Sequence, residues 1–212
     1  MTRRGFGVLS AFQVEVAQAF FSIPQARDFV LAGGAALAAQ GLTSRPTQDL
    51  DFFAQPSTGT VLEAVEAFEE LAYGRGWEIQ HLRDSSTFVR LMVRGEGNLV
   101  VDLAIDSAPA SETVMSFVGP TFDPAELAGR KLLALFGRAE ARDFVDVYWL
   151  AQRFGTQEMI KQAERVDAGL DLAVLSEMIA TLHRFARDEL PIKASERADL
   201  MSFFDEWRRQ LD

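Results

Sequence analysis

Between Ser10 and Phe21 apolar residues recur at helical spacing: Phe12, Val14, Val16, Ala17, Phe20 and Phe21 line one side of an amphipathic helix that must end before Pro24. The next apolar stretch, Asp28 to Ala32, is short and runs at once into Gly33-Gly34 and the alanine-rich AALAAQ. That order reads as strand, tight turn and helix, closed by Gly41. After the polar connection TSRPTQ comes DLDFFA, where alternation puts Asp49, Asp51 and Phe53 on one face and Leu50 and Phe52 on the other. Helical spacing returns over 60–73, from Thr60 to Tyr73, and stops at Gly74-Arg75-Gly76. Three strand-like runs follow at 77–82, 87–93 and 99–105, separated by Asp84-Ser85-Ser86 and Gly95-Glu96-Gly97-Asn98, both good turn sequences.

From Asp123 the pattern becomes helical throughout. Asp123-Pro124-Ala125-Glu126 combines an N-cap, a proline at the first helical position and a glutamate at the third. The helical pattern runs to about Phe154 with a weak point near Gly137, and further helices are expected over 156–166, 170–188 and 195–210. The expected fold is therefore α/β (α+β): an N-terminal domain over 1–120 with a small mixed sheet flanked by helices, and a C-terminal helical bundle over 121–212. No internal repeat or low-complexity linker separates them.

Composition narrows the chemistry. With 212 residues the chain can bury a real core. It has no cysteine and two histidines, His81 and His183, each expected to be structural or exposed, so a metal must sit on oxygens: Mg²⁺, Mn²⁺ or Ca²⁺ rather than zinc. Arg3 and Arg4 open the chain, but Gln13, Glu15 and Gln18 interrupt what would be the apolar run of a signal peptide. No apolar run approaches the roughly 18–20 residues that cross a bilayer, so a cytoplasmic protein with no membrane partner is expected. A net charge of −10 argues against a broad nucleic-acid-coating surface, though not against a local basic groove.

The chemistry-bearing residues are carboxylates. Asp49 and Asp51, at i and i+2 of one strand, project together and can hold a hard dication. Asp102, in the apolar strand LVVDLAID, is the natural third ligand, because a charge inside an apolar strand needs a metal or an ion-pair partner. Asp106, four residues on, is the reserve. The other explanation for Asp102 is a buried arginine such as Arg90. Gly33 and Gly34 expose backbone N–H groups at a helix start, where a phosphate is favoured, although a Gly-Gly pair is more often only a turn.

Taken in order, GGAALAAQGLTSRPTQDLDFF, then VVDLAID, then KLLALFGRAEARDFVDVYWL, the chain resembles the nucleotidyltransferase superfamily of polymerase β-like fold, and within it the AbiEii/AbiGii toxin family. The matching blocks span about Val30 to Leu150. The resemblance implies that Gly33 and Gly34 contact the triphosphate, that Asp49, Asp51 and Asp102 hold Mg²⁺ (or Mn²⁺), and that Lys131 and Asp146 are the family's later active-site lysine and aspartate. Arg45, Arg142 and Asp143 take supporting positions, Arg45, Lys131 and Arg142 on the nucleotide side. Ala35 departs from the serine or threonine often found after the glycines, which leaves the phosphate contact to the backbone. The implied reaction moves NMP from an NTP to an acceptor hydroxyl with release of pyrophosphate, in a cleft completed by the helical domain. The implied setting is the toxin of a bacterial toxin–antitoxin or phage-defence pair, with the tRNA 3′ end as acceptor and a cognate antitoxin as partner.

Helix geometry bears on the second block independently. With Lys131 at zero and about 100° per residue, Arg138 falls near −20°, Arg142 near +20° and Asp146 near +60°, a cationic stripe if the helix is continuous. Lys131, Arg138 and Arg142 are otherwise the wet face of an amphipathic helix. Phe144, Tyr148 and Trp149 are expected to pack the C-terminal helices together. Two competing functions stay open: a small-molecule nucleotidyltransferase similar to aminoglycoside-modifying enzymes, which the acidic charge favours, and a non-catalytic NTP-binding module.

Overall fold

The structure, a computed structural model, describes residues 8–56, 61–186 and 188–211. Arg3 and Arg4, the expected helix start Thr60, and Arg187 of the expected 170–188 helix lie outside the described residues. The chain divides into two compact units, the first ending at Pro124 and the second beginning at Ala125.

In the first unit, α1 (Ala11–Ser22) begins where a reciprocal cap satisfies two orphan N–H groups. Gln13 N donates to Ser10 Oγ at 3.1 Å and Ser10 N donates to Gln13 Oε1 at 2.8 Å. Then come β1 (Phe29–Ala32), α2 (Gly33–Ala39), β2 (Asp49–Ala54), α3 (Val61–Gly74), β3 (Glu78–Asp84), β4 (Phe88–Arg94), β5 (Asn98–Ile105), β6 (Val114–Met115) and β7 (Pro120–Thr121). They form a seven-stranded mixed sheet in the order β3-β4-β5-β2-β1-β7-β6, with β2 parallel to β5 and antiparallel to β1. The mixed sheet flanked by helices agrees with the expected class. β6 and β7 are an addition: two residues are too few to show alternation.

The alternation of β2 is realised as expected, with Leu50 and Phe52 fully buried. Phe52 stacks on Phe20 of α1, ring centroids 4.1 Å apart, and Phe20 meets Phe29 and Phe68 edge-on. Each such pair adds about 0.5–1.5 kcal/mol beyond burial of area. This aromatic cluster puts α1 and α3 on one face of the sheet, and leaves the Asp49–Asp51 face of β2 opposite it. α2 starts one step earlier than a separate Gly-Gly turn would allow: Gly33 is its first residue, at φ +60°, the left-handed region that glycine enters without strain. It ends as expected at Gly41, where Leu42 N reaches Leu37 O and Gly41 N reaches Ala38 O.

The second unit is helical: α4 (Pro124–Arg138), α5 (Ala141–Phe154), α6 (Thr156–Val166), α7 (Leu172–Ala180) and α8 (Arg197–Leu211). Phe144 and Phe204 pack edge-on at 5.2 Å, and Tyr148 meets Phe203 at 5.4 Å, so this aromatic group joins the helices, with Trp149 at its rim. The 170–188 helix is shorter than expected, passing into a 3-10 turn at Thr181–Arg184.

The helical run to Phe154 breaks close to the weak point expected near Gly137, but not at that glycine. Ala139 adopts φ +47°, the one left-handed residue other than glycine among those described, and α5 restarts after Glu140. Neither glycine nor proline makes this break. Asp143 makes it, because its carboxylate accepts from the Glu140 backbone N–H at 3.3 Å and from Arg138 Nε at 2.9 Å, and so stops one helix and starts the next.

Candidate active site

In the first unit a row of residues runs across four strands. In register, Arg90 of β4 lies beside Asp102 of β5, Asp102 beside Asp51 of β2, and Asp51 beside Ala32 of β1, immediately before Gly33. Neighbours in register share a face, so Arg90, Asp102 and Asp51 project together, and Asp49 joins them two residues along β2.

Three local devices hold the carboxylates of β2. Gly33 lets the chain pass directly over Asp51: a Cβ at this position would sit 1.8 Å from Asp51 Oδ2. Thr47 Oγ1 donates to Asp49 Oδ1 at 2.7 Å, and the Thr47 carbonyl is itself held by the buried Gln13 side chain at 2.9 Å. Gly34 packs on the same threonine, where a Cβ would meet Thr47 Oγ1 at 2.7 Å and Arg45 Nη2 at 3.5 Å. Arg45 donates to the Pro46 carbonyl at 3.0 Å. The sequence pattern R-x-T-x-D-x-D includes Thr47 but assigns it no contact, and it gives Gln13 no place in the site. The spacing of Thr47 two residues before Asp49 is the signal that sets a hydroxyl beside that carboxylate.

Asp102, the expected third ligand, meets a guanidinium. Arg90 Nε donates to Oδ1 at 2.8 Å and Nη2 to Oδ2 at 2.6 Å, a bidentate pair in which Asp102 is buried and Arg90 is nearly half exposed. The hydrogen bond to Asp102 raises the Arg90 pKa above its ordinary value; burial opposes this, and the charges of Asp102, Asp51 and Asp49 add to it. As a metal cradle, then, Asp49 and Asp51 fit, with two oxygen-bearing side chains on one face under a glycine. Both Asp102 oxygens are already engaged. No three His, Cys, Asp or Glu side chains among the described residues converge as a metal-binding group. Asp106 lies just past β5, where its carboxylate accepts from the Ser107 backbone N–H at 2.7 Å.

The second unit carries the lysine. Lys131 Nζ lies 3.0 Å from Asp146 Oδ2 and 3.6 Å from Asp143 Oδ1, and all three side chains are buried. Arg138 grips Asp143 with Nε at 2.9 Å and Nη2 at 3.1 Å, while Arg142 Nε is 2.9 Å from Glu140. Burial pushes the Asp143 carboxyl up most strongly, but the Arg138 hydrogen bond and the charges of Lys131, Arg138 and Arg142 together carry it below the ordinary value. The stripe expected on a continuous helix is replaced by ion pairs folded across the α4–α5 elbow, which bring Lys131 and Asp146 into contact from two helices. Both histidines are exposed and sit beside carboxylates. His81 sits 2.5 Å from both Glu69 and Asp84, and His183 is 2.8 Å from Asp205.

A mixed sheet with paired strand carboxylates beneath a glycine turn, followed by a helical unit, is the nucleotidyltransferase fold. Three solved structures share it. JHP933 from Helicobacter pylori aligns at 18% identity and TM-score 0.60, covering 100% of this chain and 94% of that one. A putative nucleotidyltransferase from H. pylori aligns at 19% and 0.59, covering 100% and 97%. MenT4, a nucleotidyltransferase toxin from Mycobacterium tuberculosis, aligns at 18% and 0.55, covering 92% and 90%. No curated protein matches the chain. Residues 18–211 match the nucleotidyl transferase AbiEii toxin family of type IV toxin–antitoxin systems, and the chain belongs to that family. It is a nucleotidyltransferase of the toxin class.

Proposed function

We propose that this protein transfers NMP from an NTP to the hydroxyl of an RNA, the tRNA 3′ end, in the cytoplasm, as the toxin partner of a cognate antitoxin. The observation that carries the reading is the pair Asp49 and Asp51 on the face of β2 away from the aromatic core, with Gly33 closed over Asp51. Mg²⁺ or Mn²⁺ held by this pair would supply the positive charge that lowers the barrier to attack on the α-phosphorus. Thr47 orients Asp49, so the pair keeps its geometry before any ligand arrives. Gly33 and Gly34 offer backbone N–H groups to the triphosphate, and Arg45, beside Gly34, adds positive charge. In the second unit, Lys131 and Asp146 take the family's active-site lysine and aspartate positions, and Asp146, 3.0 Å from the Lys131 ammonium, holds it in place.

A small-molecule acceptor is the second reading, favoured by the net charge of −10, which repels a polyanion and attracts a cationic drug-like substrate. Incubation with Mg²⁺, each α-³²P-labelled NTP, and either total tRNA or a small-molecule pool separates the two. Label on tRNA is the expected result, and label on small molecules alone replaces RNA as the acceptor. Undiminished transfer by Asp49→Ala removes the carboxylate pair from the chemistry.

A further inference from the structure

Arg90 and its partner Asp102 are the residues of the acidic row that the nucleotidyl-transfer reading leaves without a task. The Arg90 guanidinium has five N–H donors, of which two are spent on Asp102. The side chain is nearly half exposed while Asp102 beneath it is buried, so the arginine forms the outer surface of that part of the face. Adjacent strands lie about 4.8 Å apart, and by leaning from β4 onto Asp102 the guanidinium comes to lie over β5, one strand from Asp51.

We infer that the Arg90–Asp102 ion pair takes the place of a second metal ion, so that the site works with one dication on Asp49 and Asp51 and a fixed guanidinium beside it. The inference rests on the reading of Asp49 and Asp51 as the metal-binding pair. The donor chemistry supports it, since both Asp102 oxygens are bonded in the geometry that carboxylates and guanidinium prefer, and a metal there would have to displace a fully formed bidentate pair. The remaining N–H groups form a planar array suited to phosphate oxygens, the role a second metal fills elsewhere. Arginine stays protonated at any working pH, and the raised pKa of Arg90 strengthens that.

Manganese counting tests this without relying on activity. The protein is saturated with the αβ-methylene analogue of each NTP in parallel, and bound Mn²⁺ is measured by electron paramagnetic resonance. Wild type is expected to hold one Mn²⁺ per chain with no spin coupling. Arg90→Leu, which bares Asp102, is expected to hold two, coupled as ions about 3.5–4 Å apart are. Two coupled ions in wild type, or a count that stays at one in Arg90→Leu, overturns the inference. Binding of no Mn²⁺ with any analogue sinks instead the carboxylate-pair reading beneath it. Because Arg90→Leu leaves a buried charge and can lose the fold, Arg90→Leu/Asp102→Leu removes the pair as a neutral unit. That double variant is expected to keep one Mn²⁺ with affinity within about threefold of wild type. If Asp102 were a ligand, affinity would fall at least as far as loss of an outer-shell partner takes it, about 10–100-fold, and the inference would be wrong.

Discussion

Gly33 offers the sharpest test of the carboxylate geometry, because the structure contains its own control. Gly33 and Gly41 both occupy left-handed backbone, at φ +60° and +67°. Alanine at either position bears the same backbone cost, about 1–2 kcal/mol. At Gly41 an added Cβ meets nothing within 4 Å, whereas at Gly33 it would lie 1.8 Å from Asp51 Oδ2 and 2.8 Å from its Cγ. Two outcomes are physically open to Gly33→Ala. If Asp51 stays, overpacking adds about 1–3 kcal/mol to the backbone cost. If Asp51 rotates away, stability matches Gly41→Ala but the carboxylate pair is broken. In both cases nucleotidyl transfer falls while Gly41→Ala retains it, and the loss is expected to reach about 100-fold, the scale on which displacing one group in a preorganised site acts. The measurements are urea midpoints and initial rates of α-³²P-NMP transfer for the two variants side by side. Equal transfer rates for Gly33→Ala and Gly41→Ala would refute the close approach of Gly33 to a working carboxylate.

Thr47→Val removes the 2.7 Å hydrogen bond to Asp49 with little change of shape; it is expected to cost under about 1.5 kcal/mol in urea unfolding yet lower transfer about 10–100-fold. Lys131→Met strips a buried ammonium from Asp146 and is expected to lower stability by about 3–5 kcal/mol, so thermal melting has to accompany any activity measured on it; a melt matching wild type would show that the pair carries no structural weight. The hydrogen bonds from Asp84 and then Glu69 raise the His81 pKa above its ordinary value of 6.5, so the protonated ring contributes stability that is fully present below pH 6.5 and is lost as pH rises through the raised value. His81→Gln is expected to flatten that alkaline decline in denaturant midpoints, and an unchanged slope would remove His81 as its source.

Much of this protein was legible residue by residue. The alternation of DLDFFA determined that Asp49 and Asp51 share a face, because period two is a property of the extended chain itself and the apolar Leu50 and Phe52 leave one way to bury it. Gly41 marked the end of α2 because glycine enters the left-handed backbone of a helix C-cap without strain, and the helical spacing of the second half announced a bundle. Two matters were decided by the tertiary structure. Asp102 needed a partner by its burial alone, but whether that partner was a metal or Arg90 depended on the β4–β5 register, which sets the guanidinium opposite the carboxylate. The α4–α5 elbow carries no glycine or proline at the break, and its left-handed Ala139 is held by contacts of Asp143 with Arg138 and Lys131. Periodicity reports which face of a segment is buried; it carries no information on which charge lies across from it, since that pairing is settled only when separate segments pack.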